Sequence, residues 1–167
     1  MKKIIVMLML LAPMAVFAQK FGHVDTQAII QSLPEVSKVN GELEALGKQY
    51  QNELQTMQDE INRKADEYEK TKSTMNATKQ QETETNINQM IQKYQQAMQD
   101  NQQAFQKAQA EKMQPIQEKI MKAIENVAKA GSYVYIMEKG VGQPIYISDT
   151  LSKDVTADVK AELNKLK

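Results

Sequence analysis

The chain has no cysteine and no tryptophan, one histidine, and one arginine, Arg63, among its 167 residues. Each absence excludes some chemistry. Without cysteine there is no disulfide, no thiolate nucleophile and no cysteine-ligated zinc. His23 alternates with apolar neighbours in Phe21-Gly22-His23-Val24, which suits a structural place on a strand. No nucleophile–base arrangement and no glycine-rich phosphate loop is present. Carboxylates such as Asp59-Glu60 and Glu67 with Glu69 are scattered as on a solvated helix. No catalytic, cofactor-binding or metal residue is assigned, and an enzyme is not expected. The 21 basic and 21 acidic residues balance, so the basic stripe that nucleic-acid binding requires is missing. Aromatics are few, which argues against a large aromatic core.

Long apolar runs are confined to the start. Lys2 and Lys3 precede the apolar stretch Ile4 to Leu11, Pro13 interrupts it, and Val16-Phe17-Ala18 ends in a small residue. This pattern reads as a secretory signal peptide over 1–18, with cleavage after Ala18. The run is short of the 20 or so residues that span a bilayer. The expectation is an exported, periplasmic chain beginning at Gln19. No cysteine follows for lipid attachment.

What the sequence has in abundance is helical pattern, nearly unbroken from Val36 to Ala130. Pro34 suits a first helical turn, and Ser32 with Glu35 fits a capping box. The apolar positions Leu43, Leu46, Tyr50, Leu54, Met57, Ile61, Ala65 and Tyr68 repeat every eleven residues, about 3.67 per turn, so the helix should pair almost straight or with slight right-handed twist. Gly41 and Gly47 each cost about 1 kcal/mol in a helix interior and suggest close packing or flexibility. Ser73 to Thr78 gathers poor helix formers; Asn76 tolerates positive φ, and Thr78 with Gln81 fits a second capping box. The hairpin tip is expected there.

The returning helix shows Ile87, Ile91, Tyr94, Met98, Phe105 and Ala108 at heptad spacing, then an offset set of Met113, Ile116, Ile120, Ile124 and Val127 with Pro115 at the offset. Gly131 is expected as the residue just past the helix end. The two arms should run roughly 60 and 75 Å at 1.5 Å per residue. Eleven glutamines fall between Gln89 and Gln117. They read either as a solvated face or as an uncharged surface for loose contact with unfolded chains. Methionine, flexible and polarizable, suits the second reading. Met75, Met90, Tyr94, Met98 and Phe105 are the candidate client-binding residues.

Short β-prone segments flank the hairpin: Phe21 to Val24, Tyr133 to Met137, and Ile145-Tyr146-Ile147, the last two joined by a hairpin loop over 140–144. Asp25 should cap a short helix through Ile29-Ile30. Val155, Val159, Leu163 and Leu166 line one face of a terminal helix. The expected fold is mainly α with a small β body: an antiparallel helical hairpin over 35–130 projecting from a short-stranded oligomerisation body made of 19–34 and 131–167. That body is small and has open strand edges, so self-association is expected, with Val24, Val134, Ile136, Ile145 and Ile147 as its residues.

In this order, the pieces resemble the Skp/OmpH family of periplasmic chaperones across essentially the whole mature chain. Asp154-Val155-Thr156-Ala157-Asp158-Val159 and the lysine-rich end to Lys167 are the most specific local element. The resemblance implies a homotrimer with three helical arms around a cavity that holds unfolded outer-membrane proteins without ATP. It implies no cofactor. Well-known members have strongly basic arms, thought to contact lipopolysaccharide and anionic membranes. Here 35–130 carries 13 basic and 15 acidic residues, so no lipopolysaccharide residue is carried over, although peripheral membrane contact stays open. The alternative from the residues alone is a structural or adaptor coiled coil of the cell envelope.

Overall fold

The computed structural model describes residues 19–140, 144 and 146–166. The signal-peptide reading over 1–18 and the body residue Ile145 lie outside the described residues. In chain order come β1 (Lys20–Val24), α1 (Thr26–Ser32), α2 (Pro34–Thr71), a 3-10 turn (Lys72–Thr74), α3 (Ala77–Gly131), β2 (Tyr133–Glu138), β3 (Ser152–Asp154) and α4 (Thr156–Leu163). The chain divides into two units. Residues 29–120 form one, and residues up to 28 together with 121–167 form the other.

In the first unit α2 and α3 run antiparallel. Glu35 faces Lys119 and Glu42 faces Lys112, while the Asn101 amide approaches Glu53. Each step of seven or eleven residues along α2 is thus matched by an equal step back along α3. Every seam position expected on α2, Leu43 to Tyr68, is buried or half-buried. On α3 the heptad reading fails. Ile91 and Met98 are exposed, and Met90, Tyr94, Ala97, Asn101, Phe105, Ala108, Lys112 and Ile116 face the seam. These steps of four, three and four residues make Tyr94, Phe105 and Ile116 an eleven-residue series. A straight α2 seam can be followed only by a partner with the same 3.67-residue turn, so the returning helix must drop the heptad. The supposed offset at Pro115 is the same eleven-residue series continuing. The helix runs through Pro115, and Ile116 and Ile120 beside it are among the best-covered residues.

The helix ends also differ from expectation. Ser32 belongs to α1 and donates to the Ile29 carbonyl at 2.8 Å, so it cannot cap α2, whose Leu33 N-cap has no side-chain bond. At the tip the cap is Asn76, whose Oδ1 accepts the Lys79 N–H at 2.8 Å. Asn76 keeps negative φ. Among the described residues, Ser132 (φ 55°) is the non-glycine with positive φ, so α3 closes one residue later than expected. Gly131 is needed for space: a β-carbon there would run into the Tyr133 ring. Gly41 and Gly47 are different. Nothing lies within 4 Å of a β-carbon at Gly41, and one at Gly47 would meet Phe105 at an ordinary 3.6 Å.

In the second unit β1 is the central strand of a three-stranded sheet, order β2-β1-β3, parallel on both sides. Gly22 sits opposite Ile136, and Phe21 stacks on Tyr135 with ring centroids 4.9 Å apart. Of the expected strand at 145–147, the described residues Tyr146 and Ile147 carry no regular structure. Ser152–Asp154 pairs with β1 instead, because His23 Nδ1 bonds Ser152 Oγ at 3.0 Å and the Val155 N–H donates to the His23 carbonyl at 2.9 Å. Backbone and side-chain bonding outweigh β propensity there. Asp25 caps α1 as expected, accepting the Ala28 N–H at 2.7 Å. At the start of α4 and along it, Val155, Val159 and Leu163 are fully covered, worth about 1.5–3 kcal/mol each. Leu166 is half-buried.

Three outcomes follow from this packing. Gly47→Ala fits sterically and should raise the thermal midpoint, with a gain of about 1 kcal/mol in denaturant unfolding. The Glu35 and Glu42 carboxyls are held below their ordinary 4.5 by hydrogen bonds from Lys119 and Lys112. A depressed folded pKa contributes stability that is present above 4.5 and lost as pH falls through the lowered value. Acid should therefore lower the midpoint, modestly and less in high salt, because the pairs are exposed. At the tip, the Tyr68 hydroxyl donates to Glu84, and that bond together with burial pushes the phenol up to about 12. In an alkaline absorbance titration Tyr68→Phe should remove a phenol step near pH 12. It should also speed hydrogen exchange over residues 72–84 while leaving 116–120 slow.

Candidate functional site

Apolar surface on the hairpin arises where side chains fall out of phase with the seam. Met98 and Ile91 lie one heptad apart on α3, and the eleven-residue seam turns both outward. Beside Met98 a groove of about 630 Å³ opens between the helices, floored by Gly47, Leu54, Met98 and Phe105. Gly47 makes the groove possible: without a side chain it leaves the Phe105 ring edge uncovered. The rim is amide: Gln51, Asn101, Gln102 and Gln106.

The electrostatics of this stretch are unusual for these helices. No lining residue is charged. Charged pairs lie to either side, Lys48 with Glu44 at 2.6 Å on α2 and Lys107 with Glu111 at 3.8 Å on α3. A surface of this kind offers contact area and amide hydrogen bonds but no ionic selectivity.

Of the five arm residues singled out from sequence, Met98 and Phe105 come together in the groove. Met90 and Tyr94 are half-buried in the seam. Met75 lies at the tip, in a separate hollow of about 620 Å³ shared with Tyr68 and Ile87. Sequence reasoning missed Gly47, Leu54 and Ile91. The signal for them was available: carrying the α2 eleven-residue repeat onto α3 puts Ile91 and Met98 outside the seam.

In the sheet unit, Val24 is buried and Ile136 half-buried against Gly22. Val134 is exposed, as are Tyr135 and Met137, so β2 carries apolar side chains in the open, and its outer edge is unpaired among the described residues. Ile147 is half-buried outside any strand. Tyr146 and Leu151, at 80% and 76% exposure, are further apolar residues in the open that the sequence reading did not single out. An apolar strand edge of this kind invites pairing.

The segment Asp154 to Val159 acts as a clasp. The Thr156 N–H donates to Asp154 Oδ1 at 2.9 Å, the Asp25 N–H donates to Thr156 Oγ1 at 2.9 Å, and Asp158 pairs with Lys153 at 2.7 Å. The Thr156 bonds, with His23 nearby, hold the Asp154 carboxyl below its ordinary value against burial.

Comparison with known proteins agrees with this architecture. The family model described as outer membrane protein (OmpH-like) matches residues 20–163. No curated protein matches the sequence. Among solved structures, one from Caulobacter crescentus assigned as an OmpH-like outer membrane chaperone superposes with a TM-score of 0.76. It is 13% identical, and the match covers 89% of this chain and 86% of that one. At that identity the likeness is one of fold. The family match spans nearly every described residue from β1 to α4, and the chain belongs to the OmpH-like (Skp/OmpH) family.

Proposed function

We propose that this protein is an ATP-independent periplasmic holdase that binds unfolded outer-membrane proteins in a cavity between helical arms. The observation that carries the reading is the uncharged apolar groove on the arm of a chain from a chaperone family. An unfolded β-barrel client exposes alternating apolar residues. Many weak, uncharged contacts retain such a chain by avidity without selecting one conformation. The signal peptide ends at Ala18, the arm comprises 35–130, and the body comprises 19–34 with 131–167.

The chain works as a homotrimer in this reading. Its support is the open β2 edge with Val134, Tyr135 and Met137 exposed, which subunits arranged about an axis would cover. The near-neutral arms give little long-range steering.

The mature protein should suppress aggregation of a urea-unfolded outer-membrane β-barrel on dilution, at about one oligomer per client, without nucleotide and with weak salt dependence. Removing residues 54–64 and 90–100 takes one eleven-residue repeat from each arm and preserves the register. The arms shorten by about 16 Å, so the oligomer should persist while large clients are held less well. Equal holding by the shortened form would favour a spacer role in the envelope. In sedimentation, Val134→Asp with Met137→Asp should give folded monomers; a wild type that is already monomeric at micromolar concentration would overturn the trimer.

A further inference from the structure

We propose that the Gly47–Phe105 notch is a discrete seat for one aromatic side chain of an uncharged, extended client segment. The inference rests on the holdase reading and assigns the chemistry of its contact.

The first argument is energetic. A glycine in the middle of a long helix costs about 1 kcal/mol against alanine. Close packing does not demand it, since a β-carbon at Gly47 would stand 3.6 Å from the Phe105 ring, an ordinary contact. What glycine achieves at this place is an opening: it bares the ring edge of Phe105 and the adjoining helix surface. The second argument is the chemistry of the walls. Phe105 offers a ring for edge-to-face or offset contact. Met98, 47% exposed, sets a polarizable thioether beside it, and sulfur and aromatic rings attract. Leu54 closes the floor.

The third argument is charge. The lining residues carry no charge, and the nearest carboxylate named, Glu53, is engaged with the Asn101 amide at the rim, so a charged side chain entering the groove would give up water for uncharged walls. The carboxamides of Gln51, Gln102 and Gln106 both donate and accept, which suits the free N–H and C=O groups of an extended peptide. An uncharged strand carrying an aromatic residue is therefore the occupant that the walls complement. A folded helix would present no free backbone groups to those amides.

The test uses the full-length mature oligomer and two uncharged ten-residue peptides of serine and threonine. One carries a central benzoyl-phenylalanine, the other a photoreactive leucine. On irradiation the aromatic peptide should cross-link to residues 47–54 and 98–109 in preference to the rest of the arm, and the leucine peptide should not. Gly47→Leu lays a side chain across the ring and should weaken aromatic-peptide binding about tenfold. Gly41→Leu, which faces open space, should leave it unchanged. If Gly47→Leu fails to assemble, Met98→Gln on the exposed wall serves instead, with an expected weakening of about threefold. Cross-links spread evenly along both helices, or binding indifferent to Gly47→Leu and Met98→Gln, would overturn the seat. Suppression of β-barrel aggregation by the wild type, measured on the same preparation, reports separately on the holdase reading. A wild type that seats the peptide but fails to suppress aggregation would leave the seat and remove that reading.

Discussion

Two long helices can share one straight seam only if both repeat their apolar positions with the same period. That constraint governs the hairpin. α2 sets the period at eleven with Leu43, Leu54 and Ala65, and α3 answers with Tyr94, Phe105 and Ile116. Seam burial is thin, with few residues fully covered, so register depends on the match of period along the whole length. The Glu35–Lys119 and Glu42–Lys112 pairs report the register more than they enforce it, since exposed pairs contribute little. Lys112 and Lys119 use their aliphatic stems as seam material and carry their charges to the rim.

The same constraint produces the surface. A heptad along α3 would have buried Ile91 and Met98. The eleven-residue seam rotates past them and leaves apolar side chains beside the Gly47 opening. Apolar exposure on this arm is therefore a by-product of helix pairing, placed where the local sequence is rich in glutamine and poor in charge. No separate binding domain is needed to offer such a surface, and the helices stay well solvated elsewhere.

Much of this was legible from residues. The α2 series, the tip within Ser73 to Thr78, the Asp25 cap and the α4 face of Val155, Val159 and Leu163 all followed from spacing and local residue chemistry, although the tip's cap is Asn76 and not Thr78. The errors share one cause, competition that a local window does not display. Ile145-Tyr146-Ile147 has the composition of a strand, but pairing with β1 went to Ser152–Asp154, whose bonds come from His23 over a hundred residues earlier. Ser32 looked like a cap for α2 but was already committed to α1. The α3 heptad looked regular by itself, and only its partner's period decides against it. Gly47 read as a sign of close packing or flexibility, and the atoms around it leave ordinary room for a β-carbon, which removes the packing alternative.

The position of β1 has a kinetic consequence. It is the first element of the sheet, yet both its neighbours, β2 and β3, come from beyond residue 132. A strand with such distant partners closes late, because loop entropy must be overcome before pairing rewards it. The hairpin is the opposite case: its contacts can zip inward from the Asn76 tip with little loop cost. During synthesis the arm can thus become helical while Phe21 to Val24 still waits, unpaired. A chain that loses its last fifteen residues would keep a formed arm and forfeit Lys153 and Asp154 of β3 together with the buried Val155, Val159 and Leu163. Completion of the sheet is in effect a check that the chain is whole.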